Sequence, residues 1–470
     1  MTVVYKSTLN QILYMRYFIT SFVTFWLAFG TLVVNAQSWV NVGMPDFSAG
    51  IADGVSLAID PAGTPYVAYP DGAYGQKVTV MKFNGVSWET VGAPGFTTGS
   101  AYPVSVAIDV SGTPFIVYSD SAFDHKISAM KFNGVNWVTV GNEGFSAGAI
   151  QQTAMAINST GTPYVVFEDA GDSDFAVVKK FDGSSWINVG SAGSSGAGAY
   201  WPSIAIDKHD VPYIAFYDGL DLLSRAKVME FNGSSWVTVG GHDIFTGYAG
   251  NVGIAIDTAG TPYVVCGDGG VGGKASVMKF DGAAWVNVGV AGFSAGNTYY
   301  TSIALDRQGT PYVAYTDVVN NWKATAMKFN GLDWVDIGSA GFSPGATQGT
   351  QIAIDASGTP YVSFMDTLNN LKATVMKFDT STEVRNTPAI AENYETISPN
   401  PTHNSFTLHI SSSTNEKAAI IITNMLGEKV KEFVSFTNTD IQIQLNEPPG
   451  VYFINAVTKG GCVTSKVLLE

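Results

Sequence analysis

The sequence predicts an all-β protein, a seven-bladed β-propeller of four-stranded blades followed by a small β-sandwich. Three observations carry this expectation. Trp39, Trp88, Trp137, Trp186, Trp236, Trp285 and Trp334 recur at steps of 49 or 50 residues, which marks seven copies of one supersecondary unit. Each copy contains four short apolar runs separated by turn residues. Charged residues make up only 13% of the 470, whereas glycine (51) and aromatics (12%) are plentiful. That balance suits short strands and tight turns, and disfavours a helical bundle or a disordered chain.

The first element is a leader. Residues Tyr17 to Val34 are almost all apolar, follow Arg16 and end in Val34-Asn35-Ala36. A charged start, an apolar run and a small-residue cleavage pattern predict a signal peptide over residues 1–36, with Met15 a second candidate start. The rival reading is a membrane anchor, since the run is just long enough to span. No other segment has that length, so no transmembrane helix is expected after cleavage.

The repeat occupies residues 37–379, and its sixth copy shows the unit. Thr301–Asp306 is an apolar run closed by the turn Arg307-Gln308-Gly309-Thr310, and Pro311–Tyr315 returns. After a variable loop come Lys323–Phe329, the hairpin dipeptide Asn330-Gly331, and Trp334–Gly338. Asn-Gly between apolar runs is a strong two-strand signal, and four antiparallel strands per copy match a propeller blade. The runs are apolar on both faces, as expected for a sheet sandwiched between two neighbours. Small residues (Ala58, Ala107, Ala156, Ala205, Ala255, Ala304, Ala353) recur in the first run, which fits a crowded innermost strand. The last copy stops at Phe378-Asp379 without its tryptophan strand, whereas the first copy is preceded by an unmatched Trp39–Gly43. The N-terminal strand is therefore expected to complete the last blade, a closure that removes exposed sheet edges. An open solenoid would need a capping repeat, and the sequence shows none. The Gly-Thr-Pro-Tyr-Val-Ala-Tyr and Met-Lys-Phe-Asn-Gly pieces resemble repeats of secreted bacterial propellers. This resemblance implies fold only, because propellers host binders and enzymes alike.

Residues 380–395 form a polar, proline-containing linker. Beyond it, Phe406–Ile410, Ala418–Thr423, Gly450–Ile454 and Ser465–Leu469 read as strands of a small β-sandwich over 396–470. Ser398-Pro399-Asn400-Pro401, Met425-Leu426-Gly427-Glu428-Lys429-Val430, Pro449-Gly450-Val451-Tyr452-Phe453 and Lys466-Val467-Leu468 occur here in order. Together they resemble the C-terminal sorting domain of the type IX (Por) secretion system of Bacteroidetes. That resemblance implies secretion machinery as a partner, passage across the outer membrane, and a mature protein released or held at the cell surface.

The formal charge of −15, with no basic run, excludes a phosphate-reading surface and hence nucleic acid as a partner. The two cysteines, Cys266 and Cys462, fall in different predicted domains and carry neither zinc spacing nor an expected disulfide. Five histidines share no spacing, and the Gly-rich stretch after Gly267 precedes no helix that could hold a phosphate.

The loops after the second and fourth strands of each blade open on one face and vary between copies, which makes that face the expected working surface. Asp71, Asp120, Asp169, Asp218, Asp268, Asp317 and Asp366 close the second strand in every copy. In six copies a base (Lys77, Lys126, Arg225, Lys274, Lys323, Lys372) opens the third. A feature repeated in every copy reads as scaffold, a loop-closing ion pair or Asx turn, before it reads as a charged rim.

Positions that break the repeat are more informative. Just before the innermost strand the copies read Asp53, Tyr102, Gln151, Tyr200, Gly250, Tyr299 and Gln348, then Gly54, Pro103, Gln152, Trp201, Asn251, Tyr300 and Gly349. Aromatic faces stack on sugar rings while amides and carboxylates take the hydroxyls, so Tyr102, Tyr200, Trp201, Tyr299 and Tyr300 are the expected ligand-binding residues. The bland alternative is half-buried loop aromatics. In the third copy Glu168, Asp169, Asp172 and Asp174 cluster; oxygen-rich groups can hold calcium or raise one carboxyl pKa, and a solvated acidic loop is the alternative. The expected function is a secreted or cell-surface binding module for an extracellular glycan. The alternatives are a polysaccharide-acting enzyme using those carboxylates, and a scaffold or adhesin for a surface protein.

Overall fold

The computed structural model describes residues 37–380 and 394–470, apart from 194, 196, 197, 220–224, 242, 243, 246, 413, 414, 426, 427, 459 and 460. The expected leader and most of the expected linker lie outside the described residues. The chain divides into two compact units, one of them spanning Ala36–Ser381.

That unit contains seven four-stranded antiparallel sheets. In the first blade the order from the inside outward is Ser56–Ile59, Pro65–Asp71, Lys77–Phe83, Trp88–Thr90, and the later blades repeat it. The last blade is completed by Ser38–Asn41, which pairs antiparallel with Lys372–Asp379 in the register Trp39↔Phe378. The expected closure is therefore present.

The core lies between the blades. Seven buried clusters each join two neighbouring sheets. One of them unites Tyr361, Ala373 and Val375 of the last blade with Val55, Val67 and Tyr69 of the first. This is why the second strands are apolar on both faces: every residue of Pro65–Asp71, Pro114–Asp120 and Pro311–Asp317 is buried.

The periodic tryptophans are the outer fastening of the ring. Each indole donates to a backbone carbonyl of the preceding blade at 2.6–2.8 Å, from Trp39 on Ile337 to Trp334 on Val288. In five of the seven interfaces a phenylalanine of the preceding loop stacks on the indole: Phe47 on Trp88, Phe96 on Trp137, Phe145 on Trp186, Phe293 on Trp334 and Phe342 on Trp39. A buried indole needs its N–H satisfied, and here the required bond is also the inter-blade tie.

An inner ring of bonds surrounds the axis. Ser56, Ser105, Ser203 and Ser302 accept the backbone N–H of Val106, Met155, Ile254 and Ile352 of the next blade, and Gln351 accepts that of Leu57. Ala154 and Gly253 hold the two remaining positions and carry no acceptor. Ala154→Ser should supply one of the missing bonds and raise the unfolding free energy by about 1 kcal/mol. A denaturant midpoint that does not rise would show the facing N–H to be satisfied already.

Six of the seven aspartates that close the second strands are buried turn formers. Asp71 accepts N–H bonds from Gly50 and Ala73 and a hydroxyl from Thr79. The same i+2 backbone bond recurs at Asp120, Asp169, Asp268, Asp317 and Asp366. Of the two scaffold readings the Asx turn holds at these six positions, and the carboxylates face backbone rather than a charged rim.

The second unit is a β-sandwich of a three-stranded sheet (Tyr394–Ser398, Ser405–Ser411, Asp440–Gln444) and a four-stranded sheet built on Lys417–Thr423 and Gly450–Thr458. Period-two alternation directs Phe406, Leu408 and Ile410 from one sheet onto Ile420, Ile422, Ile454 and Val467 of the other. The two ends of the unit are joined. Asn400 donates to the Lys466 carbonyl and accepts from the Leu468 N–H, both at 2.9 Å, and Thr402 and Glu470 continue the pairing. The Ser-Pro-Asn-Pro segment and the final strand, far apart in sequence, thus form one structural feature. No described helix in either unit is long and apolar enough to cross a membrane.

Candidate functional site

Six of the seven innermost strands shift register against their partner by a bulge near their first residues, for example between Tyr200 and Ser203 and between Tyr299 and Ser302. A bulge re-aims side chains and is common beside working sites. Here it places Gln152, Trp201, Asn251 and Tyr300 on the wall of a central cavity. The second residue of the bulge adopts left-handed backbone at Trp201 (φ 48°), Asn251 (50°), Tyr300 (51°) and Gly349 (63°), as does Gly54 (84°) at the corresponding place of the first blade. Glycine adopts this conformation freely, whereas a bulky side chain incurs roughly 1–2 kcal/mol of strain. Two copies of the repeat use glycine. The fourth and sixth place Trp and Tyr there, so the folded scaffold holds two aromatic rings where stability alone favours none.

Those rings frame a cavity of ≈ 280 Å³ on the axis, lined by residues of all seven blades, among them Gln152, Trp201, Asn251, Tyr300 and Gln351. Asn251 braces its neighbour: its side-chain oxygen accepts the Tyr300 N–H at 3.1 Å and its carbonyl accepts the Thr301 hydroxyl at 2.5 Å. Tyr102, Trp201, Tyr299 and Tyr300 expose 53, 38, 41 and 39% of their surface, far more than the buried tyrosines of the second strands. Tyr200 differs. It is half-buried, stacks on Tyr217 at 5.0 Å, and lies over bare backbone, since a Cβ at Gly219 would come within 2.3 Å of its ring. It therefore supports the rim more than it presents a face.

Three further aromatics join the set. Tyr217 touches Tyr200, Trp201 and Tyr248, and Trp322 stacks on Tyr299 at 5.1 Å. Tyr248 and Trp322 are about half exposed. The signal that finds them is the same repeat-breaking comparison at other columns. Tyr248 stands where other copies have Ile51, Ser100, Ala149, Gly198, Asn297 and Ala346. Trp322 stands where others have Gln76, His125, Asp174, Gly273 and Leu371.

The tyrosine hydroxyls report the convergence. Burial raises the Tyr102 hydroxyl, and Asp53 and Tyr300 raise it further, so groups from the first, second and sixth blades share one field. Burial together with Tyr248, Tyr200 and Glu168 pushes Tyr217 up to about 12.

The acidic residues of the third blade have different surroundings. Glu168 and Asp169 are successive strand residues and point to opposite faces. Asp169 is occupied by the N–H groups of Ala147, Gly148 and Gly171 at 2.7–3.0 Å. Among the described residues no cluster of three or more His, Cys, Asp or Glu side chains is arranged to hold a metal ion, so Glu168, Asp169, Asp172 and Asp174 do not converge on one.

Glu168 is nonetheless unusual. It is 2% exposed, and its Oε1 has no hydrogen-bond partner. Burial first, and the Asp174 carboxylate second, push it up to about 7 from an ordinary 4.5. Between those values the folded state keeps a proton that the unfolded state has lost, so stability falls as pH rises from about 4.5 to 7 and is level above. Glu168→Gln should remove that slope and stabilise the protein at pH 8 by on the order of 2–3 kcal/mol. Unfolding curves of both proteins at pH 4.5 and pH 8 check this, and parallel pH profiles would refute it.

Residues 396–470 match the family model described as the secretion system C-terminal sorting domain. The sandwich is thus a sorting domain, and it marks the protein for export to the cell surface or the medium. No curated protein matches the chain significantly. Among solved structures, SapL1 lectin in complex with alpha methyl fucoside is similar at 15% identity over 65% of this chain and 100% of that one, TM-score 0.43. An ulvan lyase, described as a polysaccharide lyase, is similar at 12% over 70% and 94%, TM-score 0.47. The fucose-specific lectin from Aleuria aurantia is similar at 14% over 57% and 88%, TM-score 0.41. Likenesses this distant carry no inference about ligand or chemistry.

Proposed function

We propose that this exported propeller is a carbohydrate-binding module whose site is the mouth of the axial channel on the variable face. The observation that carries the reading is the placement of Trp201 and Tyr300 at left-handed bulge positions that other copies fill with glycine. Tyr102, Tyr299, Tyr248 and Trp322 extend the aromatic surface, with Tyr200 and Tyr217 beneath it. Rigid aromatic faces suit the apolar faces of sugar rings, and Gln152, Asn251 and Gln351 line the cavity with amides able to donate to and accept from hydroxyls.

An extracellular glycan is the proposed partner, and binding without turnover is the proposed activity. The enzymatic alternative loses support because Asp169 is committed to a turn, and Glu168, though protonatable near neutrality, does not line the cavity. A glycan array probed with residues 37–379, and separately with the full chain, tests the reading. Saturable retention of a sugar class supports it. A blank array, with retention of a surface protein instead, supports the scaffold alternative.

A further inference from the structure

We infer that the axial cavity receives one uncharged terminal sugar residue, end-on, at a single site per propeller, and discriminates against an end bearing a uronate or sulfate. This rests on the carbohydrate reading above and specifies the ligand class for that same site.

Size and symmetry point to one terminal residue. The cavity is lined by all seven blades, so the fold supplies one such place and not seven. Its ≈ 280 Å³ falls just below the range of about 300–1,000 Å³ for sites that enclose a whole drug-sized ligand. A single ring fits within it, and the rest of a chain must leave through the mouth, past Tyr102, Trp201 and Tyr300.

Charge points to a neutral end. Among the described residues lining the cavity, none is ionisable except the Tyr300 phenol; hydroxyls, amides and apolar groups make up the wall. Ser56, Ser105, Ser203 and Ser302 each use an oxygen lone pair for the neighbouring blade's N–H. Each keeps its own proton to donate and a second lone pair to accept, the bonding pattern of a sugar hydroxyl's own partners. A carboxylate or sulfate entering this space would lose its hydration without meeting a cation, a costly transfer. The charged groups that act on these tyrosines are acidic too: Asp53 raises the Tyr102 hydroxyl and Glu168 that of Tyr217. The whole chain adds a net −15, which repels anions at longer range.

Isothermal titration of the full chain with matched pairs tests this: neutral gluco-, galacto- and manno-oligosaccharides, each against the same chain oxidised to the acid at C6 of its terminal residue. The expected result is one site per chain, with the oxidised partner of the bound sugar weaker by at least about tenfold. Salt should reduce only the long-range part of that difference. Equal or tighter binding of the oxidised partner overturns the inference, as does a stoichiometry of several equivalent sites. If no member of any pair binds, the carbohydrate reading itself fails, a different result from either. Gln152→Lys, which places a cation in the wall, should close the gap to about threefold or less. An unchanged gap in a folded variant would show that the wall's charge is not what discriminates.

Discussion

Trp39→Ala is expected to lower the unfolding free energy of the propeller by about 3–5 kcal/mol, the usual cost of emptying a buried tryptophan site, and to do more damage than the same change at Trp334. Locally the two sites are alike. Each indole donates to the preceding blade, Trp39 to Ile337 at 2.6 Å and Trp334 to Val288 at 2.7 Å. Each stacks on a phenylalanine at an interplanar angle of 11°, and each is less than 10% exposed. The difference is covalent. Trp334 lies in a strand joined to Lys323–Phe329 by an Asn-Gly hairpin, whereas Trp39 lies in a strand held to Lys372–Asp379 by pairing alone. Losing Trp39 therefore frees a strand that no hairpin ties to the sheet it completes. The edge of the last blade it uncovers is the kind of surface that promotes association. Urea unfolding of both variants, with amide exchange across Val40–Val42 and Val375–Phe378, provides the check. Equal losses at the two sites would show that closure adds nothing beyond local packing.

Trp201→Gly is expected to weaken binding of whichever glycan the wild-type protein retains by about 2 kcal/mol or more, roughly thirtyfold. Stability should stay within about 1 kcal/mol of the parent. Glycine relieves the left-handed strain at φ 48°, which offsets the loss of contact with Tyr217 at 5.2 Å. Tyr300→Gly should behave alike, and the bulge itself is compatible with glycine because Gly349 occupies it in the seventh blade. A loss of binding with retained stability identifies a ligand-facing ring. Trp201→Gly that unfolds the protein while leaving residual affinity intact would assign the indole to the core instead.

How legible each feature was depended on whether it repeats. The seven tryptophans, the four runs per copy and the unmatched Trp39–Gly43 were sufficient to predict blade count and ring closure, because each interface demands the same residues and so prints the same pattern seven times. The sorting domain was legible for a related reason: its motifs are spaced along one chain, and the Asn400–Leu468 bonds bring the first and last of them together. The mouth was legible only in part. Tyr102, Trp201, Tyr299 and Tyr300 were found as breaks in the repeat, but Tyr217, Tyr248 and Trp322 lie in other columns and meet the first group only once the blades are arranged around an axis. The acidic cluster of the third copy read as a possible calcium site because sequence proximity hides strand alternation, which sends Glu168 and Asp169 to opposite faces.

Architecture, sorting tail and variable face can all be read from the chain before it is folded. These follow from periodicity and from local rules of strand, turn and hydrophobic burial, which act over a few residues and need no knowledge of distant neighbours. The closed ring was needed to see which variable residues share one site, that two of its rings sit on strained backbone, and that its cavity wall carries no ionised side chain among the described residues. Those properties arise where seven segments about 49 residues apart meet at a common axis, and proximity of that kind is created by closing the ring.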